Sequence, residues 1–363
     1  MPGPNVIDKA AGNAMVKVLL AMQSSPGASV AFAPAGAARR LRPKREIDGE
    51  DIMAIRIEDA VVAITGASSG IGRAAALRFA AEGAKLILVA RRERVLRALC
   101  DECRRRGGQA IAIAADVADE AALRGLVDRA VGTYGRIDAW INNAGVLMVG
   151  KFDDCPSEAY RRVIETNLFG YIHGARAVLP LFHRQGRGTL INVASLGGRV
   201  GVPYRSAYSA SEFAILGWSD SLRRELALDG TARIDVCTVV PAHVDTPLLR
   251  QAANFSGRGI RPVGPVDSPE KVARALVRAV RHPRGEIVVG AATRLALLGL
   301  ALAPRLVGRL LAFAFAREQF APTPAAIGCG NVLHPAPGSA SVHGGWRKEV
   351  RARDAFGRLQ PGH

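Results

Sequence analysis

The octapeptide Thr65–Gly72, TGASSGIG, lies between the apolar run Val61–Ile64 and an Ala-rich stretch with helical periodicity. Nothing else in the sequence constrains the fold as tightly. A glycine-rich turn that leaves a buried strand and opens a helix belongs to a βαβ unit, and therefore to a parallel sheet. Gly66 permits the sharp turn, Gly70 lets the backbone approach a bound anion, and Gly72 allows close helix packing. Together with Ser68, Ser69 and Ile71, the turn presents helix N-terminal N–H groups to a phosphate. The spacing is G-x-x-x-G-x-G, one residue longer than G-x-G-x-x-G.

The pattern repeats downstream. Strand-like runs at Lys85–Ala90, Ala110–Ala114, Ala139–Asn142, Thr189–Ala194, Ile234–Val240 and Glu286–Val289 alternate with helical stretches. The helices are expected over Gly70–Gly83, Glu93–Gly107, Asp119–Tyr134 with Asp119 as N-cap, Ser157–Gln185 capped by Ser157, Ala207–Asp229 and Pro269–Arg281. The fold class that follows is α/β, a doubly wound parallel sheet of about seven strands (a Rossmann fold), with irregular N- and C-terminal extensions. The expected domain spans residues 53–290. Residues 1–52, rich in Gly, Pro and Ala with Phe32 as sole aromatic, read as a disordered or non-native extension. Residues 291–321 are apolar with Arg at wide spacing and read as one or two helices, and 322–363 as a mostly irregular tail.

A formal charge of +17 raises the question of a nucleic-acid partner. The basic residues are mostly Arg and are spread along the whole chain, which is not a patch, so the expectation is no nucleic acid. No run is long and apolar enough for a membrane span, and no signal-peptide core is present. With five cysteines, an odd number, the chain reads as cytoplasmic; the Leu-rich faces of Thr293–Phe320 are expected to cover the substrate entrance or meet a second subunit, with peripheral membrane contact left open. Cys100 and Cys103 form a single C-x-x-C within a charged helix, without a second pair, so no metal site is expected.

The residues after the second strand select the cofactor. An acidic side chain there would hold the ribose hydroxyls of NAD; here Arg91 and Arg92 follow the strand, and Arg73 follows the glycine loop. Guanidinium groups suit a 2′-phosphate, so NADP(H) is favoured over NAD(H).

With these motifs in place, the sequence resembles the short-chain dehydrogenase/reductase family over about residues 57–290. TGASSGIG is joined by Asp116-Val117 after the third strand, Asn142-Asn143-Ala144-Gly145 after the fourth, Asn167 in ETNLFG, and Ser195 thirteen residues before Tyr208. Pro241 and Thr246 fall in PAHVDTP, where Ala242 replaces the family's usual Gly. The resemblance implies an adenine contact for Asp116, cofactor contacts for Val117, Asn143, Ala144, Gly145 and Tyr208, and nicotinamide contacts for Pro241 and Thr246. It implies a water-holding role for Asn167, substrate-oxygen binding by Ser195, and proton transfer by Tyr208. It also implies a small carbonyl or alcohol substrate and a homodimer or homotetramer.

The chain departs from the family at one position. Four residues after Tyr208, where the family carries Lys, stands Glu212: the run is YSASE. The family Lys lowers the Tyr pKa and binds the nicotinamide ribose. A unit charge about 6 Å away at an effective dielectric of ~20 is worth roughly 2.8 kcal/mol, or ~2 pK units. Replacing plus with minus therefore opposes formation of a tyrosinate. Two readings follow: an oxidoreductase impaired by Glu212, or a catalytically silent NADP-binding protein with a sensor or scaffold role. Arg205 is the nearest candidate for a replacement charge, and His243 for a residue at the substrate mouth.

Overall fold

The computed structural model describes residues 55–230, 233–336 and 340–350. The expected 1–52 extension and the end of the tail lie outside them. Seven strands form one parallel sheet: β1 Val61–Thr65, β2 Lys85–Ala90, β3 Gln109–Ala114, β4 Ala139–Asn142, β5 Arg187–Val193, β6 Arg233–Val240 and β7 Glu286–Val288. Their spatial order is β7-β6-β5-β4-β1-β2-β3. The chain moves outward from β1 through β2 to β3, then returns to the other side of β1 with β4. That reversal opens a crevice at the C-terminal ends of β1 and β4, where open α/β sheets bind ligands.

Residues alternate between the two faces, as the period of a strand requires. Val62 and Ile64 face a core built with α1 Gly70–Ala80, α2 Glu93–Arg105 and, further along the chain, Pro269–Arg281. Val61 and Ala63 face a second core with Leu123, Leu126, Val178 and Phe182. Those come from α3 Glu120–Tyr134 and a long helical passage that begins at Ser157. Cys100 and Cys103 lie in the first core, where burial pushes the Cys103 thiol up to about 12, so both serve as packing residues.

Most boundaries agree with the sequence pattern to within a few residues, and Asp119 caps α3 through the Ala122 N–H at 3.0 Å. Ser157 is a correction. It is the first helical residue rather than the cap; Pro156 holds the cap position, with no side-chain cap bond. The passage is also not one uniform helix. α4 Ser157–Ile164 runs into a π-helical turn, Glu165–Phe169, before α5 Gly170–Gln185. Such a turn adds a residue to the register, and here it carries Asn167 inward to a buried position. α6 Ser206–Asp229 and α7 Pro269–Arg281 complete the layers.

The apolar C-terminal segment forms two helices, α8 Ala291–Leu302 and α9 Pro304–Glu318. The break falls at Ala303, because a residue before proline is pushed out of helical geometry. Phe320–Pro324 then pairs antiparallel with Arg258–Ile260. The residues from 325 to 336 and from 340 to 345 carry no strand or helix, 346–350 are helical, and Val332 and Trp346 are buried. Among the described residues no helix is long and apolar enough to cross a membrane.

Candidate active site

A cavity of about 480 Å³ lies along the C-terminal ends of β1, β4, β5 and β6. Every site residue read from the sequence lines it except Gly72, Arg73 and Asn167. Gly66 and Gly70 have φ of +66° and +54°, where L side chains are strained. A Cβ on Gly66 would stand 2.7 Å from the Ala144 Cα, and one on Gly72 only 2.4 Å from the Gly66 carbonyl oxygen. Gly72 therefore shapes the loop from behind without facing the cavity.

Asn143 clamps this loop from the neighbouring strand. Its Nδ2 donates to the Thr65 carbonyl at 2.9 Å, while Thr65 Oγ1 accepts from the Asn143 and Ala144 N–H groups at 2.9 and 3.1 Å. Thr65 is a site residue that the motif did not single out. Beneath it, Asn142 joins Trp140, Asn192 and the Tyr171 carbonyl in a buried network. At the far end of the crevice, Asp116 Oδ1 accepts from the Ala118 N–H at 3.1 Å, and its other oxygen pairs with Arg162.

Of the three arginines, two face the cavity. Arg91 Nη2 donates to the Asn331 carbonyl at 2.7 Å, and its buried Nη1 has no acceptor. Arg92 Nη2 donates to Ser68 Oγ at 3.1 Å. Arg73 turns away. It pairs with Glu102 of α2 at 2.5 Å, because a carboxylate one helix over offers a closer partner than the crevice. A buried guanidinium nitrogen without an acceptor, beside a glycine turn with no room for a Cβ, suits an anionic group bound in the crevice.

The catalytic candidates come from β5 and α6. Ser195, just beyond the end of β5, accepts from the Gly197 N–H at 3.1 Å and lines the cavity together with Tyr208. One turn along α6 from Tyr208, Glu212 is 5% exposed, and its Oε2 has no partner. Burial pushes Glu212 up to about 8. Tyr208 is pushed well above its ordinary value, first by burial and then by Glu212, against smaller lowering effects of Ser195 and Arg205. Burial is the larger cause, and the Glu212 carboxyl acts in the same direction. Asn167 Oδ1 accepts from the Val146 N–H at 2.8 Å, and its Nδ2 donates to the Val146 carbonyl and to Ser211 Oγ. Ser211 Oγ in turn donates to the Tyr208 carbonyl at 2.8 Å, so Asn167 braces the backbone of α6 from below.

Two C-terminal elements complete the cavity. Leu311, Ala314 and Phe315 of α9 form one wall of the cavity. The C-terminal strap closes another: the Ser341 carbonyl accepts from the Gly70 N–H at 3.0 Å, and the Ala336 carbonyl from Arg92. Trp346 anchors the strap, with its Nε1 on the Thr246 carbonyl and its N–H on Asp245. Its one legible signal was a tryptophan in a Gly- and Pro-rich stretch.

A family model for short chain dehydrogenase matches residues 60–256. An uncharacterised oxidoreductase of Bacillus subtilis, YxnA, is 37% identical over 276 residues, covering 74% of this chain and 76% of its own. The ketoacyl reductase HetN of Nostoc is 33% identical, covering 63% and 77%. The crystal structure of levodione reductase superposes with a TM-score of 0.57 at 26% identity, covering 68% of this chain and 98% of its own. Motifs, sheet order and matches coincide, and the chain belongs to the short-chain dehydrogenase/reductase family.

Proposed function

We propose that this member of an NAD(P)-dependent oxidoreductase family moves a hydride between NADP(H) and a small carbonyl or alcohol, and that Glu212 makes it slow near neutral pH. The observation that carries the reading is the grouping of Ser195, Tyr208 and Glu212 at one end of a cavity whose other end is the glycine turn. The turn from Gly66 to Ile71 would hold the pyrophosphate, Arg91 and Arg92 the 2′-phosphate, Asp116 and Val117 the adenine end, and Pro241 and Thr246 the nicotinamide. When bound, the cofactor supplies or accepts the hydride.

The chain supplies the rest. Ser195 Oγ donates a hydrogen bond to the substrate oxygen, and the Tyr208 hydroxyl gives that oxygen its proton during reduction. The tyrosinate left behind lies in a buried setting beside a carboxyl group rather than an ammonium, so its formation is costly. The names of HetN, a ketoacyl reductase, and of levodione reductase support a carbonyl substrate. A catalytically silent NADP-binding protein is the second reading, favoured specifically by Glu212. NADPH titration followed by a carbonyl screen, on wild type and Glu212→Lys, decides between them. NADPH binding with turnover only in the Lys variant establishes the silent reading.

For the surroundings of the site, the proposal is a cytoplasmic homodimer or homotetramer. Leu295, Leu302, Leu306 and Phe313 of α8 and α9 are exposed, do not line the cavity and offer a subunit contact. Flotation of the protein with anionic liposomes would replace that contact with a membrane surface.

A further inference from the structure

Arg205 immediately precedes α6 and lines the cavity, yet its side chain is 5% exposed. Two of its nitrogens, Nε and Nη2, are buried without any hydrogen-bond partner. These two belong to one edge of the guanidinium, the side-on fork whose parallel N–H bonds match the two oxygens of a carboxylate. Its electrostatic neighbours are Tyr208 and His243, and the Phe315 ring centroid lies 5.6 Å from its guanidinium carbon. His243 is held neutral by burial and by Arg205 itself, its value pushed down to about 3. The cavity's other lining carboxyl groups near this end are Glu212, one turn from Tyr208, and Glu318, and neither forms an ion pair with Arg205.

The backbone is built to keep the side chain there. Tyr204, directly before it, has a φ of +65°, rare for a residue with a side chain. Three contacts hold that strained turn. The Tyr204 carbonyl accepts from the Gly150 N–H at 2.9 Å, its ring meets Phe320 edge-on, and the Pro203 carbonyl accepts from Gln319 Nε2 at 3.2 Å. A buried cation left with an empty fork is costly unless something arrives to fill it.

We infer that the substrate carries a carboxylate, which the side-on fork of Arg205 binds next to the Ser195–Tyr208 pair while an apolar body rests against Phe315 and Leu311. One guanidinium with two open donors balances one carboxylate. A phosphate dianion would leave a charge unmatched among apolar walls. This assignment rests on the proposed carbonyl chemistry for the site's orientation and adds the substrate class.

The test uses three keto acids of increasing carbonyl-to-carboxylate spacing, benzoylformate, 3-benzoylpropionate and 5-benzoylpentanoate, each against its methyl ester. Binding is measured by calorimetry on the full chain with saturating NADP⁺, which cannot reduce a ketone, so affinity is read without turnover. At least one acid is expected to bind tenfold or more tightly than its ester. Arg205→Gln should erase that gap, and Arg205→Lys, which keeps the charge and loses the fork, should leave part of it. Three acids no tighter than their esters overturn the proposal from wild type alone, whatever the variants do. A gap that survives intact in folded Arg205→Gln overturns it as well. Separate NADPH-oxidation assays distinguish the two levels. Absence of turnover with an intact acid-over-ester gap removes the proposed activity and keeps the anion site, whereas turnover of neutral ketones without a gap does the reverse.

Discussion

The glycine turn and the N-terminal part of α6 line the same cavity but are stabilised by different means. At the glycine turn, shape comes from backbone: positive φ at Gly66 and Gly70, no room for a Cβ at Gly66 or Gly72, and Asn143 bridging to Thr65. At α6 the decisive groups are ionisable side chains out of water, Arg205, Tyr208 and Glu212, whose protonation depends on one another and on burial. Residue types at fixed spacing specify the first region. The second is set by the charge environment, in which a single substitution changes the chemistry and leaves the shape alone.

Glu212→Lys should have the largest effect and breaks the contrast most directly. Near pH 7 Glu212 is mostly protonated, since burial holds it up to about 8. The substitution there replaces a neutral group by a cation, worth roughly 2.8 kcal/mol at about 6 Å, or a hundredfold in rate if all of it reaches the transition state. Above pH 8 the wild-type side chain is an anion and the ratio of variant to wild type should grow further. Turnover with a ketone pool and NADPH between pH 6 and 9.5 measures it. A ratio that stays at one across that range would mean another cation already serves Tyr208.

Glu212→Gln sharpens the same point through stability. The Glu212 value is raised in the folded state, so folding favours its protonated form. Its stabilising contribution is present at low pH and is lost as pH rises from about 4.5 to about 8, with a ceiling of about 1.4 kcal/mol per pH unit. Gln keeps the shape and does not titrate. The variant should match wild type in melting temperature near pH 4.5, gain on it steadily up to pH 8, and hold a constant lead beyond.

How much of this was legible follows the same division. Seven strands, their intervening helices and the cavity end of the sheet were readable, because strand and helix periods and the glycine turn are short-range signals. Glu212 was legible too, as a departure from a motif. The π turn that carries Asn167 inward was not, since its sequence, ETNLF, has no proline or glycine to mark a break. Arg73 was misplaced because its partner, Glu102, lies on another helix. The empty fork of Arg205 depends on Phe315, more than a hundred residues on, and the strap on contacts with Gly70 and Thr246 that no local pattern encodes.

Trp346→Ala tests whether the strap belongs to the glycine-turn region as a structural part. Trp346 is buried, stacks under the Arg250 guanidinium at 4.0 Å, and carries two of the strap's hydrogen bonds. Truncating a buried tryptophan costs about 3 kcal/mol or more. The expected result is a melting temperature several degrees lower, with hydrogen exchange at Gly70 and Ser341 accelerated. An unchanged Gly70 amide would show that the strap holds without its anchor.

Arg91→Asp should have the smallest effect, and it addresses cofactor choice. On the proposed reading the unpartnered Nη1 of Arg91 would meet a 2′-phosphate, while Nη2 is already taken by the Asn331 carbonyl. One charge-assisted hydrogen bond in a partly buried site contributes about 1.5–3 kcal/mol, and Arg92 shares the role. Wild type should therefore bind NADPH more tightly than NADH by about tenfold or somewhat more. An aspartate at position 91 removes that donor and places an anion where NADP(H) carries a phosphate and NAD(H) a pair of hydroxyls. The preference should narrow to parity or invert, through weaker NADPH binding and slightly tighter NADH binding. Fluorescence titration of both cofactors on both proteins reads the four constants. Equal affinities in wild type would show that Arg91 and Arg92 are held by the strap and Ser68 and do not select the cofactor.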